Sequence, residues 1–266
     1  MDDSNPKETR KNMPRGIFLL PNLFTTGALF AGFYAIIAAM NGHFEIAATA
    51  IFVAGLLDGL DGRVARLTNT QSAFGAEFDS LSDMVSFGVA PALVVYMWSL
   101  VYLRDVSSFM GKIGWMAAFI YATATALRLA RFNTQIGTAD KRYFQGLASP
   151  AAAAVVMGAV WFCESYHIRG TDVTYGALLL TLTAGLLMVS RFSYYSFKDL
   201  DLREKVPFVT LLAAILVFVF LSLRPATVLF AFFFLYMMSG PVTSLFRWNR
   251  KRMRLAESGG DSKAES

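Results

Sequence analysis

Apolar residues along this chain come in long unbroken runs, separated by short polar turns and without period-two alternation. Eight runs are long enough, or nearly so, to cross a bilayer: about 16–40, 44–60, 80–103, 112–130, 146–165, 173–191, 206–223 and 226–246. Hydrocarbon offers no water to backbone amides and carbonyls, so a spanning segment must be a helix or a strand of a closed barrel. Runs of this length without alternation are helices. The expected fold is all-α, a polytopic transmembrane helical bundle of about eight spans.

Composition agrees with this reading. Apolar residues make up 55% of the chain and charged ones 16%, against roughly a quarter charged in a soluble domain. Mean hydropathy is +0.47. The basic residues then set an orientation. If the N-terminus is cytoplasmic, 20 of the 24 lysines and arginines fall on inside segments, and only Arg104, Lys112, Arg169 and Arg224 fall outside. The positive-inside rule puts both termini in the cytoplasm, and an even number of spans keeps that alternation.

The domain plan is a cytoplasmic tail at 1–15, a membrane domain at 16–246 and a basic cytoplasmic tail at 247–266. The first apolar run is too long for a signal-peptide core and lacks a small-residue cleavage site, so it is expected in the mature protein. No internal repeat or second domain is visible. Topology explains the net charge of +5, and no nucleic-acid partner is expected. The cluster Arg247–Arg254 suits an anionic leaflet, although a stop-transfer flank is the simpler reading. Cys163, the single cysteine, has neither a disulfide partner nor metal-ligand spacing and reads as packing.

One polar cluster interrupts this pattern. Asp58-Gly-Leu-Asp61-Gly62-Arg63-Val-Ala65-Arg66 closes the second run, and Gly75-Ala-Glu77-Phe-Asp79-Ser-Leu-Ser-Asp83 leads into the third. Carboxylates at membrane depth are expensive and mark function by default. Residues three or four apart share a helix face, with Cβ atoms roughly 5–6 Å apart, so Asp58 pairs with Asp61 and Asp79 with Asp83. The short loop between makes the two helices antiparallel neighbours whose acid pairs face each other. Four such charges repel unless cations sit among them.

All-oxygen ligation without His or Cys suits a hard divalent ion: Mg²⁺ or Mn²⁺, with Ca²⁺ as a third candidate. A carboxylate-held metal near a membrane surface commonly partners a phosphate or diphosphate. Gly62 and Gly75 leave room for a bulky anion, and Arg66 can bond a phosphate. A lone aspartate at a helix end would read as a cap; four at these spacings do not.

The arrangement D-x-x-D-G-x-x-A-R-x8-G-x-x-x-D-x-x-x-D resembles the signature of the CDP-alcohol phosphatidyltransferase family. Asp58, Asp61, Gly62, Ala65, Arg66, Gly75, Asp79 and Asp83 carry all eight positions. Five further stretches resemble its phosphatidylserine synthase branch. They are Pro21–Thr25, Asp79–Ala92, Leu127–Asn133, Tyr143–Pro150 and Ser196–Leu200. Ala148 departs from that branch, where a proline would stand.

The resemblance implies an enzyme that transfers the phosphatidyl group from CDP-diacylglycerol to the hydroxyl of L-serine, releasing CMP. It implies a six-helix core, with two of the eight spans as additions, and a homodimer. By the same resemblance, Asp58, Asp61 and Asp79 hold one or two divalent ions, and Asp83 serves the second ion and acts as general base. Gly62, Ala65, Arg66 and Gly75 would line the CDP site. Asn22 and Thr25 either reach the nucleotide or pack helices. Arg128 and Arg131 share a face near the inner surface, where they bind an acceptor carboxylate or a lipid phosphate, or else snorkel as anchors. Gln145 and Ser149 are acceptor-site candidates, while Lys141 and Arg142 read as surface charges.

A diacyl substrate must enter sideways, so a cleft open to lipid is expected near the second and third spans. The expected location is the bacterial inner membrane, with the site facing the cytoplasm. Two rivals differ in kind. One keeps the chemistry with glycerol 3-phosphate, inositol phosphate or choline as acceptor. The other is a cation transporter, which would place acids near the midplane on several helices.

Overall fold

The computed structural model describes residues 19–68, 72–134, 143–195 and 219–261. Helices α1 (Leu19–Met40) and α2 (Phe44–Leu67) form an antiparallel hairpin with the most extensive helix contact among the described residues. Their shared face is built of buried alanines: Ala28, Ala31, Ala35 and Ala38 on α1, and Ala47, Ala48 and Ala54 on α2. Lipid tails are as apolar as these side chains, so close backbone approach drives the association.

Next comes one continuous 26-residue helix, in which α3 (Ala73–Asp83) and α4 (Ala90–Trp98) flank a π-helical turn at Met84–Val89. It begins two turns before the apolar run at 80, because Ser72 caps it by accepting the Gly75 N–H at 3.0 Å. The π turn lies where Pro91 has no N–H to offer the Phe87 carbonyl four residues earlier. The buried Tyr121 hydroxyl donates to that carbonyl instead, at 3.1 Å. Serines stitch this helix to α1: Ser82 donates to the Thr25 carbonyl at 3.2 Å and Ser86 to the Ala28 carbonyl at 3.1 Å. A Cβ on Gly32 would come within 2.6 Å of Ser86 Oγ, so glycine sets this approach.

A 3₁₀ turn (Leu100–Tyr102) and α5 (Leu103–Val106) lead to α6 (Ser108–Thr134), β1 (Tyr143–Gln145), α7 (Ser149–Ser165) and α8 (Thr174–Val189). Strand β2 (Ser193–Tyr195) and α9 (Pro225–Asp261) follow, with a helical segment at 219–223 before α9. Helix α7 is central, packing on α2, α8 and α9.

The architecture is all-α, as expected, with one short ribbon added outside the helices. Strands β1 and β2 pair antiparallel, with Tyr143 opposite Tyr195 and Gln145 opposite Ser193. They lie just outside the apolar runs, where the two backbones satisfy each other. Gly146 makes the exit turn at φ +81°, its N–H donating to Phe192 O at 2.8 Å. A Cβ there would stand 2.3 Å from Met188 O, so only glycine fits.

Among the described residues, four helical stretches are long and apolar enough to cross a membrane: Asn22–Met40, Ala73–Trp98, Ser108–Thr134 and Pro225–Ser244. Helices α7 and α8 are shorter apolar helices. The chain is an integral membrane protein. Most of the apolar run at 206–223, the segment Ser196–Leu200, Lys141, Arg142 and the tail at 1–15 lie outside the described residues.

Candidate active site

The four aspartates occupy two helix ends. Asp58 and Asp61 stand on successive turns near the end of α2, and Asp79 and Asp83 on successive turns of α3. Helix α3 packs chiefly on α1, and within the same 26-residue helix it is the π turn and α4, rather than α3, that reach α2. Carboxylate side chains therefore span the gap between α2 and α3. One oxygen from each of Asp58, Asp61 and Asp79 lies within 4.8 Å of the other two. Asp83 stands against Asp58.

Asp61 is buried at 5% exposure, and its Oδ2 accepts the Thr25 hydroxyl at 2.5 Å. Asp79 Oδ1 is buried and has no hydrogen-bond partner. Among the described residues no lysine or arginine forms an ion pair with any of the four. Converging carboxylates, an orphaned oxygen and no ion pair to any of the four among the described residues fit a hard divalent cation.

Around this centre the structure is open on one side. A Cβ on Gly59 or Gly62 would meet nothing within 4 Å, whereas one on Gly75 would stand 3.1 Å from Ser72 Oγ and 3.6 Å from Asn22 Oδ1. Asn22 and Gly75 thus share one corner. Ala65 is half-buried and Arg66 exposed on the last turns of α2. Leu56 and Leu60 of α2 and Phe74 and Leu81 of α3 are exposed apolar side chains on the two helices that carry the acids.

The opposite wall comes from α6. Arg128 bears electrostatically on Asp83, and its Nη1 donates to Ser149 Oγ at 2.8 Å. Its Nε is buried without a partner. Arg131 Nη2 donates to Gln145 Oε1 of β1. The four acceptor-site candidates are therefore two pairs, one facing the acids and one tying α6 to the ribbon.

Several residues near the site had no role in the sequence reading. Asn133 Nδ2 donates to Ser80 Oγ at 3.0 Å, joining the end of α6 to the residue beside Asp79. Ser82 anchors α3 to the Thr25 backbone one residue from Asp83. Its signal was legible, since Ser82 and Ser86 lie four apart on one helix face. Tyr236 of α9 sets its ring 5.5 Å from that of Tyr194 on the ribbon. Only a hydroxyl in a phenylalanine-rich run hinted at it.

A family model described as CDP-alcohol phosphatidyltransferase matches residues 18–189, a stretch containing all four aspartates and both arginines. The chain belongs to that family. A CDP-diacylglycerol–serine O-phosphatidyltransferase of Helicobacter pylori is 39% identical over 230 residues, covering 86% of this chain and 92% of that protein. One of Mycobacterium tuberculosis is 40% identical over 187 residues, 60% of this chain and 61% of the relative. An archaetidylserine synthase of Methanothermobacter thermautotrophicus is 31% identical over 177 residues, 66% of this chain and 69% of the relative. The family depends on a divalent metal, and among the described residues the carboxylate cluster is a group suited to hold one.

Proposed function

We propose that this protein is a CDP-diacylglycerol–serine O-phosphatidyltransferase, moving the phosphatidyl group of CDP-diacylglycerol onto the hydroxyl of L-serine. The observation that carries this is the convergence of Asp58, Asp61 and Asp79 in a chain 39% identical to a serine phosphatidyltransferase along 92% of its length. The products are phosphatidylserine and CMP.

Asp58, Asp61 and Asp79 would hold the divalent metal, with Asp83 beside Asp58 serving a second; Mg²⁺ or Mn²⁺ suits the donors best, and Ca²⁺ less well. Such an ion, when bound, neutralises diphosphate oxygens and stabilises charge on the departing nucleotide. Thr25 holds Asp61 in its ligating orientation. Asn22, Gly62, Ala65 and Gly75 line the space for the CDP moiety, and Arg66 reaches a phosphate. Asp83 accepts the proton of the serine hydroxyl as its oxygen bonds to phosphorus and the bond to CMP breaks. Arg128 faces Asp83 and offers an N–H fork to the acceptor carboxylate, with Ser149 holding it. Arg131 and Gln145 brace the wall behind it. Leu56, Leu60, Phe74 and Leu81, exposed on the same two helices, suit contact with the diacyl tails of a substrate entering from the side.

The 20-to-4 bias of basic residues supports eight spans with both termini in the cytoplasm. A six-helix core with two added spans, a membrane domain at 16–246 between polar tails, a homodimer, and a bacterial inner membrane with the site facing the cytoplasm complete the proposal.

The test is CMP release and phosphatidylserine formation by purified protein, with and without L-serine and Mn²⁺. Both products should require serine and metal, and chelation should abolish them. Incorporation of glycerol 3-phosphate but not serine would overturn the choice of acceptor.

A further inference from the structure

The helix from Ala73 to Trp98 carries two of the four aspartates, and its register changes directly after the second. The π turn opens at Met84, the residue following Asp83, and at its far end the Ala90 N–H reaches back five residues to the Val85 carbonyl. A single π turn fits one extra residue into a helix. At 3.6 residues per turn, one residue is about 100° of rotation. With α4 seated as it is, an uninterrupted α-helix would swing Asp79 and Asp83 by about that angle, off the gap they share with Asp58 and Asp61.

Three neighbours grip the turn. Ser82 and Ser86 donate to the Thr25 and Ala28 carbonyls of α1 at 3.2 Å and 3.1 Å. Phe87, buried at 1% exposure, lies against α2, where a Cβ on Gly55 would stand 3.7 Å from its ring. Gly88 lies against α6, where its own Cβ would stand 3.1 Å from Thr125 Cβ. Since the π turn and α4, rather than α3, reach α2, the two helices part around the acids just beyond this turn.

One hydrogen bond keeps the turn open. A helical carbonyl ordinarily accepts from the N–H four residues on, and for Phe87 that residue is Pro91, which has none. The hydroxyl of the fully buried Tyr121 donates to this carbonyl at 3.1 Å. A buried carbonyl left without a partner is costly, so loss of the hydroxyl drives the backbone toward another arrangement.

We propose that Tyr121 is a positioning residue for the carboxylate site: by holding the Phe87 carbonyl it keeps the π turn open, and the open turn aims Asp79 and Asp83 at Asp58 and Asp61. This rests on the proposed metal-dependent serine transfer and adds to it a residue that acts through the backbone of the turn.

Tyr121→Phe keeps the ring and removes the donor. In purified full-length protein it should weaken Mn²⁺ binding, titrated without substrate, by about 10–100-fold and lower turnover at saturating Mn²⁺ by a similar factor. Its thermal unfolding temperature should also fall. Pro91→Ala supplies the missing N–H. Alone it should leave Mn²⁺ affinity and turnover near wild type, because Tyr121 still holds the carbonyl, which can accept twice. In the double variant the new N–H satisfies the carbonyl at α-helical spacing. Thermal stability should then return while Mn²⁺ affinity and turnover stay low.

A Tyr121 that only stabilises the core gives other results. Tyr121→Phe would unfold earlier with Mn²⁺ affinity unchanged, or the double variant would recover affinity and turnover together with stability. Either outcome overturns the inference, as does a Pro91→Ala variant as impaired as Tyr121→Phe. Should Tyr121→Phe not fold, the double variant carries the test, and wild-type Mn²⁺ affinity there overturns the inference as well. Wild-type protein that binds Mn²⁺ but fails to incorporate serine would instead sink the proposed reaction.

Discussion

The two ends of the bundle treat carboxylates in opposite ways. At the end where α2 begins and α7 finishes, each acid has a donor. The Trp161 indole donates to Glu45 at 3.2 Å and the Trp98 indole to Glu164 at 2.7 Å, while Asp105 and Asp172 are ion-paired with Arg104 and Arg169. At the other end, Asp58, Asp61, Asp79 and Asp83 face one another, with one hydroxyl donor on Asp61 and an orphaned oxygen on Asp79. Where a carboxylate is structural, this fold supplies it with a partner. Where four are left to repel, the partner comes from outside the chain, and a divalent cation meets that need.

The sharpest break of this contrast lies in the aspartates themselves. Asp83→Asn should lower turnover by roughly 10²–10⁴-fold, as loss of a general base does, while CDP-diacylglycerol binding survives. Near-normal serine incorporation by that variant would remove Asp83 from the chemistry. Asp58→Asn should also lose metal, weakening Mn²⁺ binding by more than the roughly 10–100-fold typical of a lost supporting partner. Titration of Mn²⁺ by its paramagnetic signal measures this directly.

Thr25→Val comes next. It keeps shape and removes the hydroxyl on Asp61, so Mn²⁺ affinity should fall by about 10–100-fold without loss of fold. Unchanged affinity would mean that Thr25 only packs α1 against its neighbours. The smallest effect belongs to the far end. Glu164→Gln should leave turnover untouched and cost about 0.5–1.5 kcal/mol at most, read from thermal unfolding in detergent. If it impaired turnover as Asp83→Asn does, the division between the two ends would be false.

Much of the site was legible in the sequence, because its key spacings are helical. Asp58 with Asp61, and Asp79 with Asp83, must share faces once the chain is helical, and the short loop brings the pairs together. Arg128 and Arg131 were legible as one face, but not their division of labour. Which guanidinium meets Asp83 depends on how α6 is rotated against α3, and Ser149 and Gln145 fix that from distant parts of the chain. Thr25 showed the same limit. Its place in the first span suggested nucleotide contact or packing, whereas the α1–α2 hairpin brings its hydroxyl onto Asp61.

The pattern of apolar runs by itself determined a helical membrane protein, because hydrocarbon admits few other ways to satisfy a backbone. The same pattern placed the acids at a helix end, since spacing along a helix is a local property. The β1–β2 ribbon, the π turn above Asp83 and the seating of Tyr194 against Met237 of α9 were decided by tertiary structure alone. Each depends on contacts between segments far apart in the chain, and periodicity within one helix holds no information about the rotation and depth of the next.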